Sequence, residues 1–359
     1  MINILIVEDS RVIRDYLVYI LQSDPDIHVM STADSGEAAL VFLGAHRPDA
    51  ILMDIHLPGI DGLETTRRIM STAPLPIVVC TASMQFNDIK TAMNALEAGA
   101  LAVMKKPRGL DDLDAEAESA ALIKTLKLMS EVKVVRRWTR SSAAVTGTAR
   151  AVTGQTPSDA VGHDVAIVAI GASTGGPPII MQILSGLSPA FPVPILLVQH
   201  ISADFTVGFA EWLATASGMP VQVALDGEIP LPGHIYVAPD DHHLSVGPRG
   251  ELQTTQDEPH LGLRPSVGVL FRSVAERYGR RAIGVILSGM GRDGAEELKI
   301  MADKGALTVA QNEESCVVFG MPAEAIRLGA VRYVFPPEGI SDLLNAATRR
   351  DREKGGMEN

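Results

Sequence analysis

Three residues in the second half of this 359-residue sequence have the types needed for acyl transfer. Ser173 sits in Gly171-Ala172-Ser173-Thr174-Gly175, His200 follows Leu197-Val198-Gln199, and Asp293 closes Ser288-Gly289-Met290-Gly291-Arg292-Asp293. A hydroxyl, an imidazole and a carboxylate brought together make a nucleophile, a base and an orienting group. The serine segment fits G-x-S-x-G, a strand-to-helix turn that lifts a hydroxyl above a sheet edge. The same turn also suits a purely structural link, or a phosphate held on free N–H groups. His234, His242, His243 and His260 compete for the role of base, and Asp293 also suits a helix N-cap. The order Ser, His, Asp differs from the Ser, Asp, His of α/β-hydrolases, so the motif is not credited to that fold.

A second set lies in the first half. Glu8 and Asp9, Asp54, Thr81 and Lys106 each follow directly after a short apolar run. Crowded carboxylates repel one another. A hard divalent cation such as Mg²⁺ relieves that repulsion, and an ammonium neutralises a further anion. Metal, carboxylate acceptor, hydroxyl and ammonium together suit phosphoryl transfer to a carboxylate. Singly each residue reads as a solvated loop charge; four at corresponding places do not.

The elements that must position these groups follow from the hydrophobic pattern. Apolar runs at 2–7, 28–32, 50–53, 76–80 and just before Lys105 alternate with segments of helical spacing. The second half repeats the rhythm with runs at 165–170, 193–198, 282–287 and 307–310. Strands that alternate with helices predict parallel sheets covered on both faces, with ligands at the carboxyl edge. Pro220 to Ala238, punctuated by Pro and Gly, reads as hairpin-like. Residues 140–163 are small, polar and poor in large apolar side chains, the composition of a flexible linker. The end, from Thr348, is a charged, solvated tail.

Composition narrows the partners. The 43 acidic residues outnumber 31 basic ones, a formal net charge of −12, which speaks against a nucleic-acid footprint. Cys80 and Cys316 lie in apolar runs and read as buried thiols of a reducing compartment. The first apolar run is too short for a secretory signal, and no run reaches the ~20 residues of a membrane span. A cytoplasmic protein without membrane insertion is expected.

Residues 1–122 resemble a response-regulator receiver domain, through Glu8-Asp9, Asp54 in MDIHLPGIDG, Thr81-Ala82, and Lys106 before Pro107. The resemblance implies Asp54 as the acceptor of phosphate from a histidine kinase. It implies Mg²⁺ held by Asp9, Asp54 and the His56 carbonyl, with Glu8 in the outer part of the site and Thr81 and Lys106 as switch residues. The position three before the lysine, usually aromatic in that family, is Val103, so an aromatic relay lacks its ring.

Residues 164–347 resemble the catalytic domain of chemotaxis protein-glutamate methylesterases of the CheB type. The shared segments are IGASTGGP, VQHI, LPGHIYVAP, LRPSV, GVILSGMGRDG and AQNEESCVVFGMP. The resemblance implies Ser173 as nucleophile, His200 as base and then acid, Asp293 as orienting carboxylate, and the N–H groups of Thr174 and Met290 as oxyanion donors. It implies methyl-accepting chemotaxis receptors as substrate, deamidation of receptor glutamine in some members, no cofactor in the esterase half, and a receiver that controls access to the active site. The expected fold class is α/β: a flavodoxin-like receiver (1–122), a linker (123–163), a Rossmann-like methylesterase domain with a β-hairpin excursion (164–347) and a tail (348–359). The competing reading is a regulator whose second half only binds a partner.

Overall fold

A computed structural model describes residues 1–81, 86–107, 115–132, 134, 164–202 and 204–349. The chain divides into two compact units, Met1–Val145 and Thr146–Asn359. The expected linker from residue 135 onward and the tail beyond Arg349 lie outside the described residues, as does Ala82.

The first unit alternates β1 (Ile2–Val7), α1 (Arg11–Gln22), β2 (Ile27–Ala33), α2 (Gly36–Leu43), β3 (Ala50–Asp54), α3 (Gly62–Thr72), β4 (Ile77–Thr81), α4 (Phe86–Glu97), β5 (Ala102–Lys105) and α5 (Ala115–Ser130). Ser10, Ser35 and Asp61 start α1, α2 and α3 by accepting an N–H of the first turn on a side-chain oxygen. The strands pair in parallel in the order β2-β1-β3-β4-β5, the flavodoxin-like order. β3 and β4 are buried at every position, as helices on both faces require. Val103 is buried in β5.

The expected domain boundary at residue 122 falls inside α5. Leu122, Leu126 and Met129 are buried, and Lys127 Nζ donates to Asp24 Oδ2 and Asp26 Oδ2, each at 2.8 Å. The apolar spacing of this helix continues through the charged segment, so the first unit keeps the chain to Ser130.

In the second unit, β6 (Ile167–Ala172), α6 (Gly176–Ser185), β7 (Ile195–Gln199), α7 (Thr206–Ser217), β8 (Val221–Val223) and β9 (Ile235–Val237) are followed by β10 (His243–Val246), β11 (Leu252–Thr255) and α8 (Val267–Tyr278). Then come β12 (Ala282–Ile286), α9 (Ala295–Asp303), β13 (Leu307–Gln311), α10 (Met321–Arg327), β14 (Tyr333–Phe335) and α11 (Pro337–Ala347). Seven strands form one parallel sheet in the order β14-β13-β12-β6-β7-β9-β8. α8, α9 and α10 pack together on one face; α6 packs with α7 and α11 on the other. Val267, Leu270, Phe271 and Leu298 join Ile167, Leu196, Val198 and Ile286 in the core beneath α8 and α9.

The hairpin is displaced from its expected place. Pro220 to Ala238 holds β8 and β9, which pair in parallel at the edge of the large sheet. The antiparallel hairpin is β10–β11, immediately afterwards. Pro and Gly mark a turn but do not say which way the next strand runs. Cys80 is buried, and burial pushes its thiol up to about 12; Cys316, expected to be buried, is only half-buried in the loop after β13.

Candidate active site

The chain runs outward from β6 through β7 and β9, then returns to lay β12, β13 and β14 on the other side of β6. The order reverses at β6, the place where open parallel sheets bind ligands at their carboxyl ends. Ser173 follows β6, His200 follows β7, and Asp293 comes seven residues after β12.

Ser173 is placed by backbone geometry. Its N–H donates to the Ser288 carbonyl at 3.0 Å, and its carbonyl accepts from Gly176 at 2.9 Å. Gly175 takes φ +77°, in the left-handed region, and its missing Cβ leaves room for Val317. Pro177 and Pro178 occupy two of the first three positions of α6, and Gly176 N–H is already bonded to Ser173. A helix start stripped of donors in this way does not suit the phosphate-cradle reading of the turn.

The ladder between β6 and β7 pairs Ala172 with Gln199 and goes on by one bond, His200 N–H to the Ala172 carbonyl at 2.9 Å. Ser173 and His200 thus each come one residue past the last paired rung of this edge. Gln199 fixes both. Its Nε2 donates to the carbonyls of Ser173 and His200, each at 2.8 Å.

His200 Nε2 lies 3.0 Å from Asp293 Oδ2. Asp293 is 2% exposed and accepts three further bonds. Val267 N–H reaches Oδ2 at 2.7 Å, Ser266 Oγ donates to Oδ1 at 2.7 Å, and Gly268 N–H reaches Oδ1 at 3.1 Å. Asp293 thus does not cap its own helix, whose N-cap is Gly294; it accepts from the first two N–H groups of α8, beside that helix's own N-cap Ser266. The absent side chains of Gly171 and Gly294 make room for Val267, which lets that helix end approach. Burial alone would raise the carboxyl pKa, but the bonds from His200, Ser266 and Val267, with the His200 charge, outweigh it and hold Asp293 below the usual range. An ionised Asp293 only accepts, so Nε2 of His200 donates to it and Nδ1 is the unprotonated nitrogen of the neutral ring. These nitrogen roles are the reverse of those in the familiar serine-protease triad.

Of the other histidines, His234 and His242 bond backbone carbonyls. His243 is buried against Ser266 N–H and the Glu258 carbonyl, and His260 bonds Ser266 Oγ. Among the described residues, His200 is the histidine whose ring hydrogen-bonds Asp293, while His260 Nδ1 stands 3.6 Å from the other oxygen of that carboxylate.

The Gly289–Met290 turn leans on the serine. A Cβ at Gly289 would stand 2.8 Å from Ser173 Cβ and would also collide with Met321. Gly289 N–H donates to the Val318 carbonyl, and its own carbonyl accepts from Gly320 and Met321. Ser288 Oγ donates to the Thr174 carbonyl at 2.7 Å. Among the described residues, neither Thr174 N–H nor Met290 N–H is used inside the protein.

Gln199, Ser266 and Ser288 are functional positions that sequence reasoning did not assign. Gln199 and Ser288 carry the signal that marked His200, a polar residue at the end of a buried strand. Ser266 carries the N-cap signal, a serine just before an apolar helix.

In the first unit, Lys106 Nζ lies 2.6 Å from Glu8 Oε2 and 2.9 Å from Asp54 Oδ2. Burial and the Asp54 charge raise the Glu8 pKa despite Lys106; burial would lower that of Lys106, but Asp54 and Glu8 raise it. Thr81 is buried at the end of β4, while Asp9 and His56 are exposed. Glu8, expected in the outer part of the site, is 1% exposed and its most buried carboxylate. The reason is that its N–H continues the ladder to Ala33, which turns the side chain inward under Lys106. Oxygens of Glu8, Asp9 and Asp54 lie within 4.8 Å of one another. Three carboxylates against one ammonium leave surplus negative charge on hard oxygen donors, which fits Mg²⁺.

A family model described as CheB methylesterase matches residues 168–344, and one described as response regulator receiver domain matches residues 4–118. The chain is 50% identical over 361 residues to the protein-glutamate methylesterase/protein-glutamine glutaminase of Nitrosospira multiformis, covering 99% of this chain and 100% of that protein. It is 49% identical to protein-glutamate methylesterase/protein-glutamine glutaminase 1 of Syntrophus aciditrophicus, covering 96% of this chain and 97% of that one. The crystal structure of the Thermotoga maritima CheB methylesterase catalytic domain aligns at a TM-score of 0.49 and 38% identity, over 50% of this chain and 97% of that one. With its full length aligned to such relatives, the chain belongs to the CheB methylesterase family, as a member with a receiver domain ahead of the catalytic domain.

Proposed function

We propose that this protein hydrolyses the γ-methyl esters of glutamate side chains on methyl-accepting chemotaxis receptors, and deamidates receptor glutamine by the same route. The observation that carries the reading is the 3.0 Å contact between His200 Nε2 and a buried, ionised Asp293, at the same sheet edge as Ser173, one residue past the Ala172–Gln199 rung. Ser173 Oγ attacks the ester carbonyl while His200 Nδ1 takes its proton. The N–H groups of Thr174 and Met290 receive the developing oxyanion. His200 returns the proton to the methoxide, and methanol leaves. Water, deprotonated by His200, then cleaves the acyl-enzyme to glutamate and frees Ser173.

The receiver supplies control. Asp54 accepts phosphate from a histidine kinase of the chemotaxis type. Asp9, Asp54, Glu8 and the His56 carbonyl would hold Mg²⁺, which when bound neutralises charge on the transferred phosphoryl group. Lys106 pairs with the modified Asp54, and Thr81 answers to it. Phosphorylation then raises esterase activity by controlling access of the receptor to Ser173. No described helix is long and apolar enough to cross a membrane. Methanol release from methylated receptor by the full-length protein, lost on Ser173→Ala, is the test; release that persists in the variant refutes the reading.

A further inference from the structure

We infer that His260 is a positioning residue for the hydrolysis, acting on Asp293 through Ser266; the inference rests on the Ser173–His200–Asp293 reading above.

Ser266 Oγ has one hydrogen. Asp293 can only accept, so that hydrogen goes to Asp293 Oδ1, 2.7 Å away. His260 Nδ1 stands 3.1 Å from the same Ser266 oxygen, which also accepts from Gly268 N–H at 3.1 Å and Val269 N–H at 3.4 Å, and must therefore donate to it. Both the neutral Nδ1–H ring and the doubly protonated ring can do so. Ser266 is gripped from its backbone as well: its N–H donates to His243 Nδ1 at 3.2 Å, and His243 Nε2 donates to the Glu258 carbonyl at 3.2 Å. The two histidines thus meet Ser266 with opposite roles, one donating to its hydroxyl and one accepting from its amide.

The His260 ring is itself held. Its backbone closes a two-bond turn with Leu263, at 3.1 and 2.9 Å. Its Nε2 faces Glu297 Oε1 at 3.7 Å, and Arg272 fixes that buried carboxylate at 2.9 Å. The line His260, Ser266, Asp293, His200 runs in unbroken contacts from the loop before α8 to the base, and His260 Nδ1 also stands 3.6 Å from Asp293 Oδ1. A loop histidine kept only for packing would need no such sequence of matched donors and acceptors.

The test uses full-length protein and methylated receptor. His260→Ala should lower kcat roughly five- to tenfold, the worth of one net hydrogen bond expressed as a rate, with KM little changed. His260→Asn puts an amide donor near the Nδ1 position and should recover most of the loss, whereas His260→Gln, with its amide near Nε2, should not. In a Ser266→Ala background, His260→Ala should cost far less than it does alone, since only the 3.6 Å approach of its ring to Asp293 Oδ1 remains. A second readout does not need turnover: in histidine-labelled protein, the NMR signal of the His200 Nε2 proton, assigned by its absence in His200→Gln, should shift in His260→Ala and return in His260→Asn. Wild-type kcat in His260→Ala, equal loss in the Asn and Gln variants, multiplying losses in the double variant, or an unmoved His200 proton would each overturn the inference. Absence of methanol release by the unmodified protein would instead refute the proposed function, and the NMR arm still decides the role of His260.

Discussion

Gln199 and Ser173 are locked together by a 2.8 Å bond from the Gln199 amide to the Ser173 carbonyl, and the same nitrogen reaches the carbonyl of His200. One buried side chain thus ties together the two residues that exchange a proton in the proposed mechanism. Gln199→Glu would aim a carboxylate at both carbonyls in a site that is 5% exposed. Stability should fall by about 2 kcal/mol or more, since a buried polar group loses its partners. Esterase kcat should fall with it. Thermal unfolding and a rate measured well below the new midpoint separate the two effects.

Asp293→Asn should cost about 10⁴ in kcat if the carboxylate both fixes the His200 tautomer and stabilises the imidazolium. It should also change the acid limb of stability. The folded pKa of Asp293 is depressed, so its contribution is fully present above the unfolded value of about 3.9 and is lost as pH falls through the folded value. Wild type should therefore exceed Asp293→Asn in stability by a constant margin at neutral pH, and the margin should shrink as pH drops below about 4. Denaturant titrations across that range check the sign.

Gly289→Ala would drive a methyl group between Ser173 and Met321. The Met290 N–H would move off its proposed oxyanion position, and removal of one such donor costs roughly 10²–10³ in kcat. Binding of receptor should change far less. Steady-state kcat and KM for this variant are the measurement.

Much of this site was legible because the strands are parallel and buried on both faces. An apolar run then ends at a known edge, and the residue that follows it stands there: Ser173, His200, Asp54 and Lys106 all obey this. What could not be read joins distant segments through loops. The tie from Asp293 to α8 spans 27 residues to Ser266 and depends on the course of the Leu287–Gly294 loop. The direction of β9 depends on what it pairs with, not on its turn residues, so the hairpin was expected too early. The inward turn of Glu8 follows from one extra ladder bond to Ala33, and the length of α5 from its contacts with the first unit.

Asp54→Asn should abolish Mg²⁺-dependent labelling by acetyl phosphate and leave basal esterase activity in place. Chelation of divalent cations should abolish labelling of the unaltered protein. If the receiver restrains the esterase, the fragment from Asp164 onward should be more active on receptor than the unphosphorylated whole, and phosphodonor should raise only the latter. Radiolabel incorporation and methanol release report the two steps separately.

In the proposed mechanism Ser173 is the nucleophile and His200 activates it. Full-length protein treated with a fluorophosphonate and digested should show, by mass spectrometry, a single adduct on the peptide carrying Ser173. Its formation should slow by about 10³-fold or more in His200→Gln. An adduct on another residue, or one formed at the same rate without His200, would contradict the account.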